Sequence, residues 1–194
     1  MLSAIIATHE SERALVPTLA ALVPGAISGL VTEVVVVADA GSRDATAEVA
    51  EVAGCRFMAS AEPLGARLKS AAKSTRTPWL MFLRAGCVPE PGWMPAAERF
   101  MQAADLLDGA TRAAVFRPPG VADLFRPGLA ELLALLRVTF GGAPKPEQGL
   151  LIARHFYDAL GGHAGHAEAE AALLRKLGRR RIAMLASGTA AHRA

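Results

Sequence analysis

The chain has 194 residues, of which 52% are hydrophobic and 20% are charged, so it can form one domain with a buried core and is not a disordered chain. Its formal net charge of +3 favours an anionic ligand but is too small for a typical nucleic-acid-binding protein. Aromatic residues, at 5%, are not interleaved with basic ones, which argues against a surface that stacks nucleic-acid bases.

The sequence pattern is that of a cytoplasmic protein. Two cysteines, Cys55 and Cys87, are too few for a disulfide framework, which favours a reducing compartment. The apolar start at residues 1–6 has no basic segment before it and is typical of a strand rather than a signal peptide. No run of about 18 apolar residues occurs, so no transmembrane helix is expected.

The first half of the chain alternates between strand and helix patterns. Strands are predicted at residues 2–7, 33–38, 55–59 and 79–83, and helices at residues 11–23, 45–53, 63–75 and 91–104. Pro24 and Gly25 are expected to end the first helix. Ser42 is predicted to cap the second helix, with Asp44 in its first turn.

This alternation predicts βαβ units and therefore a parallel sheet covered by helices. Ligands of such sheets bind beyond the carboxyl ends of the strands. The rule selects four candidate segments, at residues 7–10, at 39–43, just before Gly65, and at 84–87.

The second half of the chain is less regular. Strands are predicted at residues 113–116, at 149–153 (a sheet edge) and at 181–185; helices are predicted at 154–160 and 167–177, and a loop at 141–146. A leucine-rich helix at 124–138 has apolar residues on more than one face. It either packs on the core or forms a dimer or membrane-surface contact.

Five basic residues cluster near the end of the last predicted helix: Arg175, Lys176, Arg179, Arg180 and Arg181. One interpretation is a solvated helix end, where cations complement the helix dipole. The other is contact with an anionic membrane surface on the cytoplasmic face, or with a phosphate-bearing acceptor.

Residues 37–46, Val-Ala-Asp-Ala-Gly-Ser-Arg-Asp-Ala-Thr, are the most specific motif of the chain. This segment resembles the Val-Asp-Asp/Gly-Gly-Ser-x-Asp-Gly-Thr signature of family 2 glycosyltransferases. Weaker similarities to that family lie in the opening strand (3–10), in the strand at 78–83, in a Pro-x-x-x-Trp segment at 89–93, and at 148–151 and 160–162. The resemblance covers roughly residues 2–186.

The resemblance implies a divergent bacterial member of that family. It implies a GT-A-type (Rossmann-like) α/β fold, with a mostly parallel central sheet flanked by helices in a single domain. The expected reaction is inverting transfer of a sugar from a nucleotide-diphospho-sugar donor to an unknown acceptor. Residues 1–104 would form the nucleotide-binding half and 105–186 the acceptor-side half, with 187–194 as a flexible tail.

Asp39 is the first candidate for contact with the nucleotide. A carboxylate at a strand end can accept the N3–H of a uracil ring, and a glycine two residues later permits close backbone approach. The alternative is a βα turn with a capped helix that binds nothing; capping accounts for Ser42 and Asp44 but not for Asp39. For Glu10 and Lys69 a solvent-facing position is the alternative. The resemblance extends the nucleotide site to eight positions: Ala7, Thr8, Glu10, Asp39, Gly41, Ser42, Arg67 and Lys69.

The chain departs from the family at its metal-binding motif. Where the family has Asp-x-Asp, this sequence has Arg84-Ala85-Gly86. The resemblance implies Mg²⁺ or Mn²⁺ as the usual cofactor, but these cations need oxygen ligands and arginine supplies none. Either transfer activity has been lost, or Arg84 binds the diphosphate bidentately in place of the metal, or Arg84 points to solvent.

The resemblance places the general base at Glu170, near the start of the helix after Gly161-Gly162. Glu168 is a second catalytic candidate, although a position two residues away faces elsewhere on a helix. His163 and His166 are alternatives to both, or ordinary loop residues. These His and Glu residues also suggest a metal site, but no matching ligand lies elsewhere in the sequence.

Two functions therefore remain open. The first is a glycosyltransferase that works without a metal, and the second is a catalytically inactive nucleotide- or nucleotide-sugar-binding domain. A nucleotidyltransferase is disfavoured, because those enzymes generally use a glycine-rich loop after the first strand and residues 7–11 contain no glycine.

Overall fold

The computed structural model describes residues 1–108, 111–118 and 144–191. The predicted helix at 124–138 and the first half of the predicted loop at 141–146, residues 141–143, lie outside these residues. Strands in the described part are β1 (Leu2–Ala7), β2 (Val31–Asp39), β3 (Arg56–Ser60), β4 (Trp79–Arg84), β5 (Cys87–Pro89), β6 (Ala113–Arg117), β7 (Leu150–Ala153) and β8 (Ile182–Ala191). Helices are α1 (Glu12–Ile27), α2 (Thr46–Val52), α3 (Leu64–Ser74), α4 (Trp93–Asp108), α5 (Arg154–Ala159) and α6 (Ala169–Leu177), with 3-10 turns at Pro146–Gln148 and Arg179–Arg181.

These strands form one sheet in the order β3-β2-β1-β4-β7-β6-β8-β5. Strand β1 is central and fully buried, and it pairs in parallel with β2 and β4, as the βαβ pattern predicts. Ala7 lies beside Val37 on one neighbour and Arg84 on the other. The carboxyl ends of these three strands therefore meet at one edge of the sheet, where the candidate segments follow.

The second half of the chain makes the sheet mixed. Strand β7 is antiparallel to both β4 and β6, β8 is parallel to β6, and β5 is antiparallel to β8. Four of the seven pairings in the described part are parallel, so the predicted single α/β domain with a mostly parallel sheet is confirmed. The strand predicted at a sheet edge, β7, is an interior strand instead.

Helix α1 does not end at Pro24, as the sequence predicted, but continues to Ile27. The reason is tertiary packing. A Cβ on Gly25 would lie 2.9 Å from the ring of Trp93, so the absent side chain lets that ring pack against the helix. The Trp93 indole also donates a hydrogen bond of 3.0 Å to the carbonyl of Ala21.

The loose tail predicted after Ser187 is also wrong for residues 187–191, because β8 runs to Ala191. This part of β8 pairs with β5, with Thr189 opposite Pro89. Glu90 holds it as well: its carbonyl accepts a hydrogen bond from the Ser187 hydroxyl, and its carboxylate accepts one from the Gly188 amide. Residues 192–194 lie outside the described part.

Helix α2 begins at Thr46 with Ala45 at its N-cap, so the prediction that Ser42 caps it is wrong. Asp44 contributes instead, accepting hydrogen bonds from the Thr46 amide and hydroxyl. Asp44 also accepts the amide of Glu12, while the Glu12 carboxylate accepts the amide of Ala45. Asp44, just before α2, therefore caps the start of α1, and Glu12, the first residue of α1, caps the start of α2.

Candidate functional site

Asp39 and Arg67 form an ion pair at the carboxyl edge of the sheet. Asp39 ends β2, and its Oδ2 lies 3.3 Å from Nη2 of Arg67 on α3. The other oxygen, Oδ1, accepts the backbone N–H of Gly41 at 2.9 Å, which fixes the orientation of the carboxylate. Asp39 is 36% exposed, whereas the Arg67 side chain is 8% exposed, so the carboxylate faces the edge and the guanidinium lies beneath it.

Three polar atoms near this pair are buried without a hydrogen-bond partner among the described residues: Nε and Nη1 of Arg67, and Oγ of Ser42. Buried polar groups are normally hydrogen-bonded, because leaving them unpaired is costly. A ligand or ordered water at the edge would supply the missing acceptors. These unpaired groups are compatible with a polar ligand beside Asp39.

The end of β1 forms the floor of the same edge. Thr8 is buried, and both its amide and its hydroxyl donate to the carbonyl of Val37. Ala7 is 7% exposed and its carbonyl accepts the amide of Ala85. Glu10 lies at the exposed tip of the loop with a φ of +46°, a left-handed conformation that glutamate rarely adopts.

Lys69 is not brought to the pair. It follows Arg67 by two residues on α3, so it points in a different direction around the helix. The side chain is half-buried and makes no hydrogen bond or ion pair among the described residues. Gly41, in contrast, lies next to Asp39 in an exposed turn.

Residues 84–86 form a tight turn that does not fit a divalent cation. The amide of Ala85 binds the Ala7 carbonyl, and the amide of Gly86 binds both the Ala14 carbonyl and the Thr18 hydroxyl. Gly86 has a φ of +90°, which disfavours an aspartate at this position. The turn offers no side-chain oxygen, and no cluster of three or more potential metal ligands occurs in the described ranges.

Arg84 is instead paired with Glu170. Its Nε donates a 2.9 Å hydrogen bond to Oε2 of Glu170, and its Nη2 donates to the same oxygen. A third nitrogen, Nη1, lies 3.7 Å from Oε1 of Glu147. The hydrogen bond to Glu170 raises the pKa of Arg84, against an opposing effect of burial. The structure thus joins two predicted catalytic residues, from β4 and α6, in one contact.

The three residues of this contact differ in exposure. The Glu170 side chain is 10% exposed, Arg84 is 40% exposed and Glu147 is 63% exposed. A narrow cleft lined by Phe82 and Leu174, among others, opens beside Glu170. A larger cavity of about 330 Å³ lies against Leu30 and Trp79 and includes none of the predicted site residues.

The other candidates for the base are placed differently. Glu168 is exposed at the N-cap of α6 and makes no side-chain hydrogen bond or ion pair among the described residues. His163 is buried, with Nδ1 2.9 Å from the Tyr157 hydroxyl, and burial lowers its pKa to about 4. Burial raises the pKa of Tyr157 to about 12. His166 is exposed. The buried His163–Tyr157 pair therefore has a packing role.

Gly65 connects the two halves of the site. Its amide donates to the carbonyl of His166, and a Cβ at Gly65 would lie 1.7 Å from the carbonyl oxygen of Ala164. The loop that leads into α6, the helix of Glu170, therefore rests directly on the first turn of α3, which carries Arg67. Sequence reasoning did not assign this role to Gly65, since the loop it contacts is about 100 residues away.

Glu147 was also not predicted. It lies in the 3-10 turn Pro146–Gln148, in a segment whose similarity to the family begins only at Gln148. Cys87 is buried, and burial raises the pKa of its thiol to about 12, which disfavours the reactive thiolate.

The five residues of the basic cluster are all exposed. Arg181 lies over the ring of Phe156 at 5.9 Å, and Lys176 donates to the carbonyl of Leu160. Arg175, Arg179 and Arg180 form no ion pair with the described residues. No helix in the described ranges is long and apolar enough to cross a bilayer.

The sequence model of glycosyl transferase family 2 matches residues 3–120 of the chain. The chain belongs to this family. No curated protein matches it. Membership confirms the family resemblance inferred from the sequence.

Solved structures of glucosyl-3-phosphoglycerate synthase from Mycobacterium tuberculosis share the fold. The complex with Mn²⁺, uridine diphosphate and glucosyl-3-phosphoglycerate has a TM-score of 0.70 and 22% identity, covering 100% of this chain and 72% of that chain. The complex with Mn²⁺, uridine-diphosphate-glucose and phosphoglyceric acid has a TM-score of 0.70 and 23% identity, with the same coverage. At this identity the similarity shows the GT-A fold alone.

Proposed function

We propose that this family 2 protein is an inverting glycosyltransferase that uses a nucleotide-diphospho-sugar donor and needs no divalent cation. The observation that carries the proposal is the buried Arg67 guanidinium, which is paired with Asp39 and has two nitrogens without partners among the described residues. A uracil ring offers the matching groups. Its N3–H can donate to the carboxylate, and the carbonyls on either side of that N–H can accept from the guanidinium. Uridine diphosphate is bound by the synthase that shares the fold.

The second part of the donor site is Arg84. Strands β2 and β4 flank β1, so the ends that carry Asp39 and Arg84 are separated by two strand spacings, about 10 Å. A nucleotide laid across Ala7 and Thr8 would place its base at Asp39 and its diphosphate at Arg84. A guanidinium binds phosphate oxygens through charge-assisted hydrogen bonds, and Nη1 of Arg84 is free of the Glu170 contact.

Glu170 would act as the general base. Arg84 occupies its Oε2, so Oε1 remains to accept the proton of an acceptor hydroxyl. The acceptor oxygen then bonds to the anomeric carbon of the sugar, while the bond from that carbon to the diphosphate oxygen breaks. The electron pair leaves with the nucleoside diphosphate, whose developing charge Arg84 stabilises. Attack opposite the leaving group inverts the anomeric configuration.

A catalytically inactive nucleotide-sugar-binding domain is the second candidate. The observation that favours it is the same Arg84–Glu170 contact, because each charge already has its counter-ion before any ligand arrives. Such a domain would keep the base site at Asp39 and lack transfer.

Measurements of donor binding and donor turnover, in EDTA and in Mn²⁺, distinguish the two candidates. We expect uridine diphosphate to raise the thermal midpoint of the protein equally in EDTA and in Mn²⁺, because a ligand that binds the native state stabilises that state. Asp39→Asn should abolish this rise. Release of nucleoside diphosphate from a uridine-diphosphate-sugar that persists in EDTA and falls steeply in Arg84→Ala supports the enzyme. An absolute requirement for Mn²⁺ contradicts it, and a bound but unreacted donor supports the binding domain.

We further propose that the basic cluster makes a peripheral contact with an anionic membrane surface. Clustered Lys and Arg residues bind anionic leaflets with about 1 kcal/mol each. Sedimentation with vesicles containing phosphatidylserine, but not with pure phosphatidylcholine, is expected, and it should be lost in the triple variant Arg175→Ala, Arg179→Ala, Arg180→Ala. Equal sedimentation of wild type and variant would contradict this contact.

A further inference from the structure

Arg84 has two carboxylate neighbours, and they contact different nitrogens. Glu170 accepts from Nε and Nη2, whereas Glu147 lies 3.7 Å from Nη1. Glu147 is much the more exposed of the two, at 63% against 10%. Glu147 therefore covers the nitrogen that an incoming ligand would reach, and Glu170 holds the guanidinium from the other side.

The position of Glu147 is fixed by its turn. Gln148 is buried; its side chain accepts the amide of Lys145 and donates to the carbonyl of Phe116 on β6. Gly149 has a φ of +66°, and a Cβ there would lie 2.8 Å from Leu83 on β4. The turn is thus attached to β6 and packed against β4, the strand that ends in Arg84.

We propose that Glu147 is a positioning residue of the donor site, which competes with the donor's diphosphate for Nη1 of Arg84. This inference rests on the proposed function, because it assumes that the diphosphate lies at Arg84. At 3.7 Å the Glu147 carboxylate forms an ion pair with Nη1 but no hydrogen bond, and its negative charge repels a phosphate brought to the same nitrogen. Binding of the donor therefore displaces Glu147 from Arg84, while Glu170 continues to hold Nε and Nη2.

Displacement of Glu147 therefore reduces the binding free energy of some ligands and not of others. Ligands with phosphate at Arg84 must displace Glu147, whereas the nucleoside alone, bound at Asp39 and Arg67, need not. Removing the charge of Glu147 should therefore tighten binding of uridine diphosphate without changing the affinity for uridine. For an exposed ion pair the expected gain is about two- to fivefold in Kd, and it should shrink at high salt.

The test is isothermal titration of the whole chain with uridine and with uridine diphosphate, in EDTA, for wild type, Glu147→Gln and Glu51→Gln. Glu51→Gln is the matched control, since it removes the same charge from an exposed residue of α2 that contacts no cation among the described residues. We expect tighter uridine diphosphate binding in Glu147→Gln only, with uridine unchanged in all three. In the Arg84→Gln background, Glu147→Gln should have no further effect.

The outcomes separate the two proposals. If both ligands bind in an Asp39-dependent way but Glu147→Gln and Glu51→Gln change uridine diphosphate binding equally, the role of Glu147 is wrong and the donor site stands. An equal gain for uridine and uridine diphosphate in Glu147→Gln also overturns it, because that pattern indicates a structural effect. If neither ligand binds, both proposals fail.

Discussion

Arg67 lies beneath Asp39, with Nη2 3.3 Å from Oδ2, although the two residues come from different elements, α3 and β2. The pair is asymmetric, since the carboxylate is partly exposed and the guanidinium is almost fully buried. Removal of Asp39 and removal of Arg67 should therefore lower the free energy of unfolding by different amounts.

Asp39→Ala should lower the free energy of unfolding by about 1–3 kcal/mol, because it leaves a buried guanidinium without its carboxylate. Arg67→Met should cost less, since an apolar side chain of similar length leaves no buried charge. Urea denaturation measures both, with the exposed Glu62→Ala as control. The explanation fails if the double variant Asp39→Ala/Arg67→Met is less stable than Asp39→Ala alone.

The capping contacts of Asp44 predict an acid-dependent loss of stability. Burial acts to raise the pKa of Asp44, but hydrogen bonds from the Glu12 amide and from Thr46 outweigh it and leave the pKa below 3.8. The folded carboxyl is thus ionised at pH values where the unfolded one is protonated. Its stabilisation is present above about pH 4 and disappears as the pH falls through the folded pKa.

Asp44→Asn should accordingly cost about 1 kcal/mol at neutral pH and progressively less towards pH 2. Denaturant unfolding across this pH range checks the prediction, and Glu51→Gln, an exposed change on α2, is the control. A constant difference between wild type and Asp44→Asn at all pH values would show that the charge of Asp44 is irrelevant.

Gly65→Ala tests the contact between α3 and the loop before α6. The new methyl group would lie 1.7 Å from the Ala164 carbonyl, so the backbone must move, at a cost of about 1–3 kcal/mol. Gly165→Ala is a matched control in the same loop, because a Cβ there has nothing within 4 Å. Thermal midpoints compare the two, and equal midpoints would disprove the contact.

His163 predicts a second pH dependence of the free energy of unfolding, in a different pH range from that of Asp44. Burial lowers its pKa from 6.5 to about 4, so the unfolded chain takes up the proton first as the pH falls. The corresponding stability, about 3 kcal/mol, is fully present above pH 6.5 and is lost between pH 6.5 and about 4. His163→Leu should flatten the profile in this window, whereas His166→Gln should retain it; an unchanged slope in His163→Leu would refute the assignment.

Local pattern predicted β1 to β4 and α1 to α4, but not the short strand β5. The apolar residues of β1 and Val35, Val36 and Val37 of β2 are buried, and the alternation of strands with helices gives the parallel pairing. The predictions that were wrong concern features that depend on contacts between residues far apart in the sequence. Helix α1 passes Pro24 because Trp93 packs on Gly25, and β8 extends because β5 and Glu90 hold it, and neither partner is visible in a local window.

The candidate site divides in the same way. Asp39 and Arg67 were selected by strand ends and motif position, and the structure pairs them. Arg84 and Glu170 were each predicted, but their mutual contact was not, because 86 positions separate them. Lys69 was selected by motif position alone, and helical geometry turns it away from Arg67.

The turn at Gly86 also limits which substitutions this chain can accept at positions 84 and 86. A carboxylate at position 84 would face Glu170 with the same charge, and one at position 86 would need a backbone that gives up both the φ of +90° and the hydrogen bond to Thr18. Each change alone should therefore lower the stability of the fold. Building an Asp-x-Asp turn at this place requires coordinated substitutions at both positions and at the residues that they contact.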